Sequence, residues 1–218
     1  MIYGGFYKMT DVYLFGINAV SKIISFYLEN DERYNLLGFT VNRQYLDADN
    51  FSGYPVIPAE DLKQRINSFG IINAVGFSQQ LSAREQVGLW IKERKLTLIS
   101  YIHPTATIGG VDIGIGSIAM PSANIETYSK TGEGNVFYSR SHIGHDANIG
   151  NYNWFGAGCV VAGSVTFGNR NFIGINSSIR EYTVIGSRAT TGAGAVILKN
   201  IPDDVVVVGN PARTLVKK

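Results

Sequence analysis

The chain contains little cysteine, histidine and charge, and each shortage limits what it can be. The single cysteine, Cys159, cannot form a disulfide within the chain, so we expect a packed core thiol in a cytoplasmic protein. Charged residues make up 17% of the 218 residues with a formal net charge of +2, and no cluster of Lys and Arg indicates nucleic-acid binding. No apolar run approaches the ~20 residues of a membrane span, and the N-terminus lacks the pattern of a signal peptide.

A repeat of six residues dominates the second half of the sequence, from Ile113 to Ile197. No helix has this period, and an ordinary strand alternates every two residues. Most units have one large apolar residue, usually with a small residue two positions earlier and a glycine directly after it, which is the hexapeptide pattern of a parallel β-helix. Three units make one triangular coil, so the sequence predicts about five stacked coils. The apolar row is clearest at Ile143, Ile149, Phe155, Val161, Phe167, Ile173, Ile179, Ile185 and Ile197.

The first hundred residues alternate strands with helices, which predicts a small, mainly parallel α/β sheet. Predicted strands cover residues 11–15, 34–41, 71–77 and 96–101, and predicted helices cover 19–28, a short stretch opening at 58–62, and 82–93. Gly16 ends the first strand and opens a helix, where a nucleotide phosphate can bind free backbone amides. A single glycine of the dinucleotide fingerprint is present, so a purely structural turn is an equal alternative.

These features together resemble the NeuD/PglD family of bacterial sugar O- and N-acyltransferases. The resemblance covers nearly the whole chain from Asp11, and includes the link from Ile102 to Ala106 and the ending from Gly209 to Arg213. It implies an α/β N-terminal lobe plus an all-β left-handed parallel β-helix, an exception to the usual right-handed crossover. It also implies a homotrimer that binds acetyl-CoA, as cosubstrate, in the groove between neighbouring β-helices. The expected domains are a nucleotide-sugar-binding lobe over 9–102, an acyltransferase β-helix over 103–200 and a C-terminal tail over 201–218.

The string from Ser141 to Asp146 resembles the family's His-Asp/Glu motif, in which the histidine is the catalytic base and the carboxylate its partner. It also resembles the His-Ile-x-His-Asp stretch of the lipid A acyltransferases, and both comparisons select His145. An imidazole can accept a proton from a sugar amine or hydroxyl near neutral pH, and Asp146 can hold its tautomer and stabilise the imidazolium. Solvent-exposed surface residues without a catalytic role are the alternative.

Gly163 lies eighteen residues after His145, which predicts neighbouring positions on the same edge of the β-helix. The resemblance implies that the Gly163 N–H binds the thioester carbonyl of acetyl-CoA, where negative charge develops during attack. It further implies that Ile175 and Ala193 line the groove for the pantetheine arm with backbone groups. A turn glycine without a catalytic role is the alternative.

The acceptor side departs from the family pattern. Trp154 stands where characterised PglD-type enzymes have a second histidine, and Tyr138 begins the pair that replaces Asn-Thr. We expect the acceptor pocket to be shaped by Tyr138, Arg140, His142 and Trp154. The nucleotide is expected near Gly16, Asn18, Asn42, Arg43, Gly76, Phe77 and Ser78 of the N-terminal lobe, although Asn42 and Arg43 replace an aspartate pair of the family. Packing at a trimer interface is the alternative for Trp154 and Arg140.

These expectations favour an acetyl-CoA-dependent N-acetyltransferase acting on a nucleotide-linked amino deoxy sugar, for surface polysaccharide or glycan biosynthesis. A sugar O-acetyltransferase of the sialic-acid type and a non-catalytic nucleotide-sugar-binding scaffold are the alternatives. A metal enzyme of the γ-carbonic anhydrase type needs three converging histidines, whereas His142 and His145 are three residues apart and His103 lies outside the repeat. We therefore expect no metal. The outward aromatic positions expected to support a trimer are Tyr152, Trp154, Phe172 and Tyr182.

Overall fold

The computed structural model of the chain describes residues 9–64, 68–77 and 82–215. The chain divides into two units. One consists of Met1–Gly76 with Gln86–Ile99, and the other of Phe77–Glu85 with Ser100–Lys218.

The first unit is built on a six-stranded sheet with the strand order β3-β4-β2-β1-β5-β6. All neighbours pair in parallel except β3 and β4, which form an antiparallel hairpin. The strands are β1 Thr10–Phe15, β2 Tyr34–Val41, β3 Asn50–Phe51, β4 Tyr54–Pro58, β5 Gly70–Asn73 and β6 Leu98–Ile99. The helices are α1 Ala19–Glu29, two 3₁₀ turns, Arg43–Tyr45 and Ala59–Gln64, and α2 Ser82–Glu93, whose residues up to Glu85 belong to the second unit.

The central strands of this sheet are buried, as their apolar sequences predict. Val12, Leu14, Phe39 and Ile71 are all fully buried, which is typical of a parallel sheet covered on both faces. The prediction of alternating strands and helices is confirmed. The third strand is shorter than predicted because the chain leaves the sheet after Asn73, whose side-chain oxygen accepts a hydrogen bond from the Val75 N–H.

The second unit is a parallel β-helix in which strands of successive coils pair at steps of eighteen residues from Ile118 to Ile197. The steps shorten to seventeen before this range and to sixteen after it, and the last two strands pair antiparallel. The His142 sheet contains β8 Thr107–Ile108, β10 Asn124–Ile125, β13 His142–Ile143, β16 Val160–Val161, β19 Ser178–Ile179 and β22 Val196–Ile197. The Lys130 sheet contains β11 Lys130–Thr131, β14 Asn148–Ile149, β17 Thr166–Phe167 and β20 Val184–Ile185. The Trp154 sheet contains β7 Tyr101–Ile102, β9 Ile118–Ala119, β12 Val136–Phe137, β15 Trp154–Phe155, β18 Phe172–Ile173, β21 Thr190–Thr191, β23 Val206–Val208 and β24 Arg213–Thr214.

The apolar row of the repeat fills the centre of the coils. Phe137 and Phe155, one coil apart, stack with ring centroids 5.2 Å apart and an angle of 7° between the rings. Cys159 is fully buried in the same core, and burial raises the pKa of its thiol to about 12. The expected packed core thiol is confirmed, and a thiolate nucleophile at this position is disfavoured.

A ladder of buried asparagines stabilises the corner between the Lys130 sheet and the Trp154 sheet. The side-chain oxygen of Asn135 accepts from the Asn153 N–H, that of Asn153 from the Asn171 N–H, and that of Asn171 from the Ala189 N–H. Each amide group also donates to a glycine carbonyl of the next coil. Because these polar groups are satisfied, their burial does not carry the cost of unpaired polar atoms.

Arg84, in the first turn of α2, belongs to the second unit and is bound by its coils. Its buried guanidinium donates to the carbonyls of Gly116 and Gly134, each at 2.9 Å, and burial lowers its pKa to about 10. Next to it, Glu85 pairs with Arg170 at 3.1 Å. The start of α2 is therefore fixed to two successive coils by charge-assisted hydrogen bonds.

Candidate active site

His145 lies in the turn between β13 and β14, at the corner where the His142 sheet meets the Lys130 sheet. Asp146 follows it with a positive φ of 56°. The carbonyl of His145 accepts from the Ser164 N–H at 2.8 Å, and the carbonyl of Thr127 accepts from the Asp146 N–H at 3.2 Å. The backbone ladder therefore stacks the corners of successive coils, with His145 between Thr127 and Gly163.

His145 and Asp146 form a hydrogen-bonded pair, with Nδ1 of the imidazole 2.7 Å from Oδ2 of the carboxylate. A carboxylate can accept a hydrogen bond but not donate one, so the imidazole proton resides on Nδ1 and Nε2 is left with its lone pair. The His145 side chain is 60% exposed. This arrangement provides an oriented, accessible general base.

Gly163 lies directly against the imidazole of His145. A Cβ atom at Gly163 would lie 2.7 Å from both Nε2 and Cε1 of His145, so the imidazole occupies the space of a side chain. The predicted register of the two residues is confirmed. Within the part of the chain that the structure describes, the Gly163 N–H donates no hydrogen bond, and it remains available to a ligand oxygen.

The coil before His145 supplies two polar residues that the sequence reasoning missed. Glu126 accepts from the His145 backbone N–H through Oε2 at 3.0 Å, and its Oε1 lies 3.7 Å from Nε2 of His142. Asn124 Nδ2 lies 3.0 Å from Nδ1 of His142. Both residues lie eighteen positions before the motif, Asn124 opposite His142 and Glu126 opposite Gly144, so the repeat period was the signal that could have found them.

The other expected acceptor residues do not lie beside His145 within one chain. Trp154 belongs to the Trp154 sheet, where it stacks on Tyr138 and contacts Phe77, with centroid distances of 5.8 and 6.4 Å. Phe77 packs in turn on Phe172 at 3.8 Å. Arg140 is exposed at the corner that leads into the His142 sheet.

The expectation that a row of outward aromatics faces water is wrong for two of its members. Trp154 is 7% exposed and Tyr152 is 4% exposed, because their own chain covers them. Phe172 is half-buried, and Tyr182, at 78% exposure, is the member that does face outward.

The residues expected along the pantetheine groove lie at the other edge of the His142 sheet. Ile175 and Ala193 are both exposed there, one coil apart, and the Ile175 carbonyl accepts from the Gly194 N–H. Within one chain they occupy a different corner from His145 and Gly163.

Gly16, Asn18 and Gly76 come together at the carboxyl edge of the α/β sheet. Asn18 donates to the Ala74 carbonyl at 3.1 Å, and a Cβ at Gly76 would lie 3.4 Å from its Oδ1. The same Oδ1 accepts from the N–H groups of Val20 and Ser21. These two amides of the helix N-terminus are therefore capped by the protein itself.

Asn42 and Arg43 follow β2 at the same edge, but Arg43 is occupied. Its side chain pairs with Asp61 at 2.6 Å, and its backbone N–H donates to Glu60. Oδ1 of Asn42 is buried and, among the described residues, has no hydrogen-bond partner. Ser78, the last expected nucleotide contact, lies outside the described residues.

The described residues contain neither a cluster of metal ligands nor a membrane-spanning helix. Within ranges 9–64, 68–77 and 82–215, no three His, Cys, Asp or Glu side chains are grouped as metal ligands would be. Over the same ranges, no helix has the length and apolar character needed to cross a membrane.

Solved structures share the fold over almost the whole chain. The acetyltransferase domain of PglB from Neisseria gonorrhoeae is 27% identical, with 94% of this chain and 99% of that chain covered and a TM-score of 0.84. The same domain in complex with acetyl coenzyme A gives 26% identity, 95% and 100% coverage and a TM-score of 0.85. PerB from Caulobacter crescentus, in complex with CoA and GDP-perosamine, is 21% identical, with 96% and 99% covered and a TM-score of 0.85.

Curated relatives match part of the chain. An acyl-[acyl-carrier-protein]–UDP-N-acetylglucosamine O-acyltransferase from Pseudomonas aeruginosa is 33% identical over 81 residues, which is 37% of this chain. The match spans about a third (31%) of that relative's length, and no protein-family model matches the chain. The likenesses confirm the expected resemblance to hexapeptide-repeat acyltransferases of the NeuD/PglD type. They also confirm the fold class, an α/β lobe with a left-handed parallel β-helix.

Proposed function

We propose that this protein is an acetyl-CoA-dependent N-acetyltransferase that acts on a nucleotide-linked amino deoxy sugar in surface polysaccharide or glycan biosynthesis. One observation carries the proposal: the His145–Asp146 pair presents a free Nε2 against Gly163, whose N–H is unused. Acyl transfer needs a base and an oxyanion donor at adjoining positions. The PglB domain bound to acetyl coenzyme A supports the choice of acetyl donor.

The reaction follows from the positions of these groups. The acceptor amine attacks the thioester carbonyl carbon while Nε2 of His145 takes a proton from the amine nitrogen. Negative charge develops on the carbonyl oxygen, which the Gly163 N–H stabilises, and Asp146 stabilises the imidazolium. The C–S bond then breaks, and the imidazolium returns its proton to the leaving thiolate, giving free CoA and the acetylated sugar.

The nucleotide part of the acceptor is proposed to bind the carboxyl edge of the α/β sheet near Gly16, Asn42 and Gly76. The partnerless Oδ1 of Asn42 supports this, because a buried polar atom without a partner is satisfied when a ligand donates to it. Because the N–H groups of Val20 and Ser21 already donate to Asn18, we expect a phosphate to bind other groups of this edge.

The proposal includes a homotrimer. Val160 and Val184 are each 46% exposed and flank the His145 corner from the His142 sheet and the Lys130 sheet. Apolar residues exposed on both sides of a site are suited to a symmetric contact that places the site between subunits. Sedimentation is expected to give three times the chain mass of 23.8 kDa. A stable, fully active monomer would contradict the trimer.

An acceptor panel tests the activity. GDP-perosamine and other nucleotide-linked amino sugars, each paired with an analogue bearing a hydroxyl for the amine, are incubated with acetyl-CoA while free thiol is followed. We expect an amine to be acetylated. A hydroxyl preference would favour the sialic-acid type of O-acetyltransferase, and tight binding without thiol release would favour the scaffold.

A further inference from the structure

The stacking order at the His145 corner separates a donor side from an acceptor side. Thr127, His145 and Gly163 occupy equivalent positions in three successive coils. With the thioester oxygen assigned to Gly163, we place the nucleophile beside His145 on the side of the preceding coil. The corner of that coil carries Glu126, Thr127 and Tyr128.

Glu126 is the residue of that corner whose side chain contacts the catalytic motif. Its carboxylate is fixed by the backbone N–H of His145 at 3.0 Å, and its other oxygen faces Nε2 of His142 at 3.7 Å. The side chain is 39% exposed, so a ligand can reach it. A carboxylate offers about four lone-pair sites, and these contacts leave some of them free.

The neighbouring side chains cannot take the same role. Nδ1 of His142 faces the donating amide of Asn124 at 3.0 Å, so its proton is on Nε2, which lies 3.7 Å from Oε1 of Glu126 and cannot act as an acceptor. Asp146 is bonded to Nδ1 of His145 and therefore lies on the side of the imidazole away from the Nε2 lone pair. Among the side chains of His142, His145, Asp146 and Glu126, the acceptors left for the nucleophile are therefore Nε2 of His145 and the carboxylate of Glu126.

Two acceptors suit an amine better than a hydroxyl. A neutral amine that directs its lone pair at the thioester carbon still carries two N–H groups, whereas a hydroxyl carries one O–H. We propose that Glu126 is a specificity-determining residue, which accepts the second N–H of the acceptor amine while His145 takes the first. This inference rests on the proposed function, and it explains how the site selects an amine over a hydroxyl at the same carbon.

The test is Glu126→Gln in the full chain, with Glu181→Gln as the matched control. Glu181 is an exposed glutamate at the same corner, one coil beyond Gly163 and therefore on the donor side. Three quantities are measured: kcat/KM for the best amine of the panel, kcat/KM for its hydroxyl analogue, and acetyl-CoA hydrolysis by water without acceptor. Melting temperature confirms that each variant folds.

We expect Glu126→Gln to lower kcat/KM for the amine by about 10- to 100-fold, the usual value of a hydrogen bond to a charged group. The hydroxyl rate should change less than about threefold, because a sugar hydroxyl has no second hydrogen for Glu126 to accept. The hydrolysis rate should fall with the amine rate, because water also carries a second O–H group. Glu181→Gln should leave the ratio of amine to hydroxyl rates unchanged.

An equal fall in all three rates would overturn the inference, since it would mean that Glu126 acts by holding the His145 backbone. An unchanged amine rate would overturn it as well. If the wild-type protein acetylates no amine in the acceptor panel, the proposed function itself is wrong, and this result is distinct from a failure of the Glu126 inference.

Discussion

Replacing His145 by alanine should lower kcat for acetyl transfer by about 10²- to 10⁴-fold, the usual contribution of a positioned general base. The reason is the geometry of the pair: Asp146 holds the proton on Nδ1, and Nε2 is the atom that faces Gly163. Stability should change little, because a side chain that is 60% exposed leaves no cavity when it is truncated. Acetyl-CoA affinity should also persist, since the Gly163 N–H remains.

The matched control is His103→Ala. His103 hydrogen-bonds to Thr105 and follows the first strand of the Trp154 sheet, away from the His145 corner. The measurement is steady-state thiol release at neutral pH, together with the melting temperature and the acetyl-CoA dissociation constant. Near-normal turnover by His145→Ala, or an equal loss in both variants, would remove His145 from the role of base.

The β-helix could be predicted from the sequence because its signal is repeated. Each coil places a strand in the same register as the next, so one miscounted residue would disrupt the whole apolar row. The spacing of His145 and Gly163 therefore carried three-dimensional information, and their contact is confirmed. Glu126 was not predicted as a site residue, because the repeat weakens toward its N-terminal end and a charged residue at a corner is not part of the apolar pattern.

The burial of the outward aromatic side chains could not be predicted from the repeat. Trp154 is covered by Tyr138 of the preceding coil and by Phe77, which is distant in sequence. A period of six residues predicts which side chains point outward from the coil, but it does not predict which other residues of the chain pack over them. The hairpin of β3 and β4 was also not predicted from the sequence. β3 has two residues and β4 contains Pro55, so neither shows the alternation that predicts a strand.

The carboxyl edge of the α/β sheet, where the nucleotide is proposed to bind, could be predicted only in part. Gly16 marks the first βα turn, as its φ of 119° requires of a glycine. The sequence left open whether this turn binds a phosphate or is structural, and the capping box between Asn18 and Ser21 shows that part of it is structural. The pairing of Arg43 with Asp61 depends on a contact across eighteen residues that no local pattern indicates.

Gly163→Ala should abolish most activity without unfolding the protein. The new Cβ would lie 2.7 Å from Nε2 and Cε1 of His145, where ordinary contacts are 3.4–4 Å. The imidazole must therefore move by about 1 Å, a misplacement that can cost about 10²-fold in rate. The β-helix itself should tolerate the change, because the atoms displaced belong to the end of an exposed side chain and Ala keeps the backbone N–H.

A double-mutant cycle separates this mechanism from a blocked donor site. If Gly163→Ala acts by displacing His145, it should cost little more once His145 is already alanine, so the two losses will be strongly non-additive. The rates to compare are those of wild type, Gly163→Ala, His145→Ala and the double variant, with equal melting temperatures as the condition for comparison. Losses that multiply in the double variant would show that the methyl group obstructs the thioester instead, and the contact between His145 and Gly163 would then not be what positions the base.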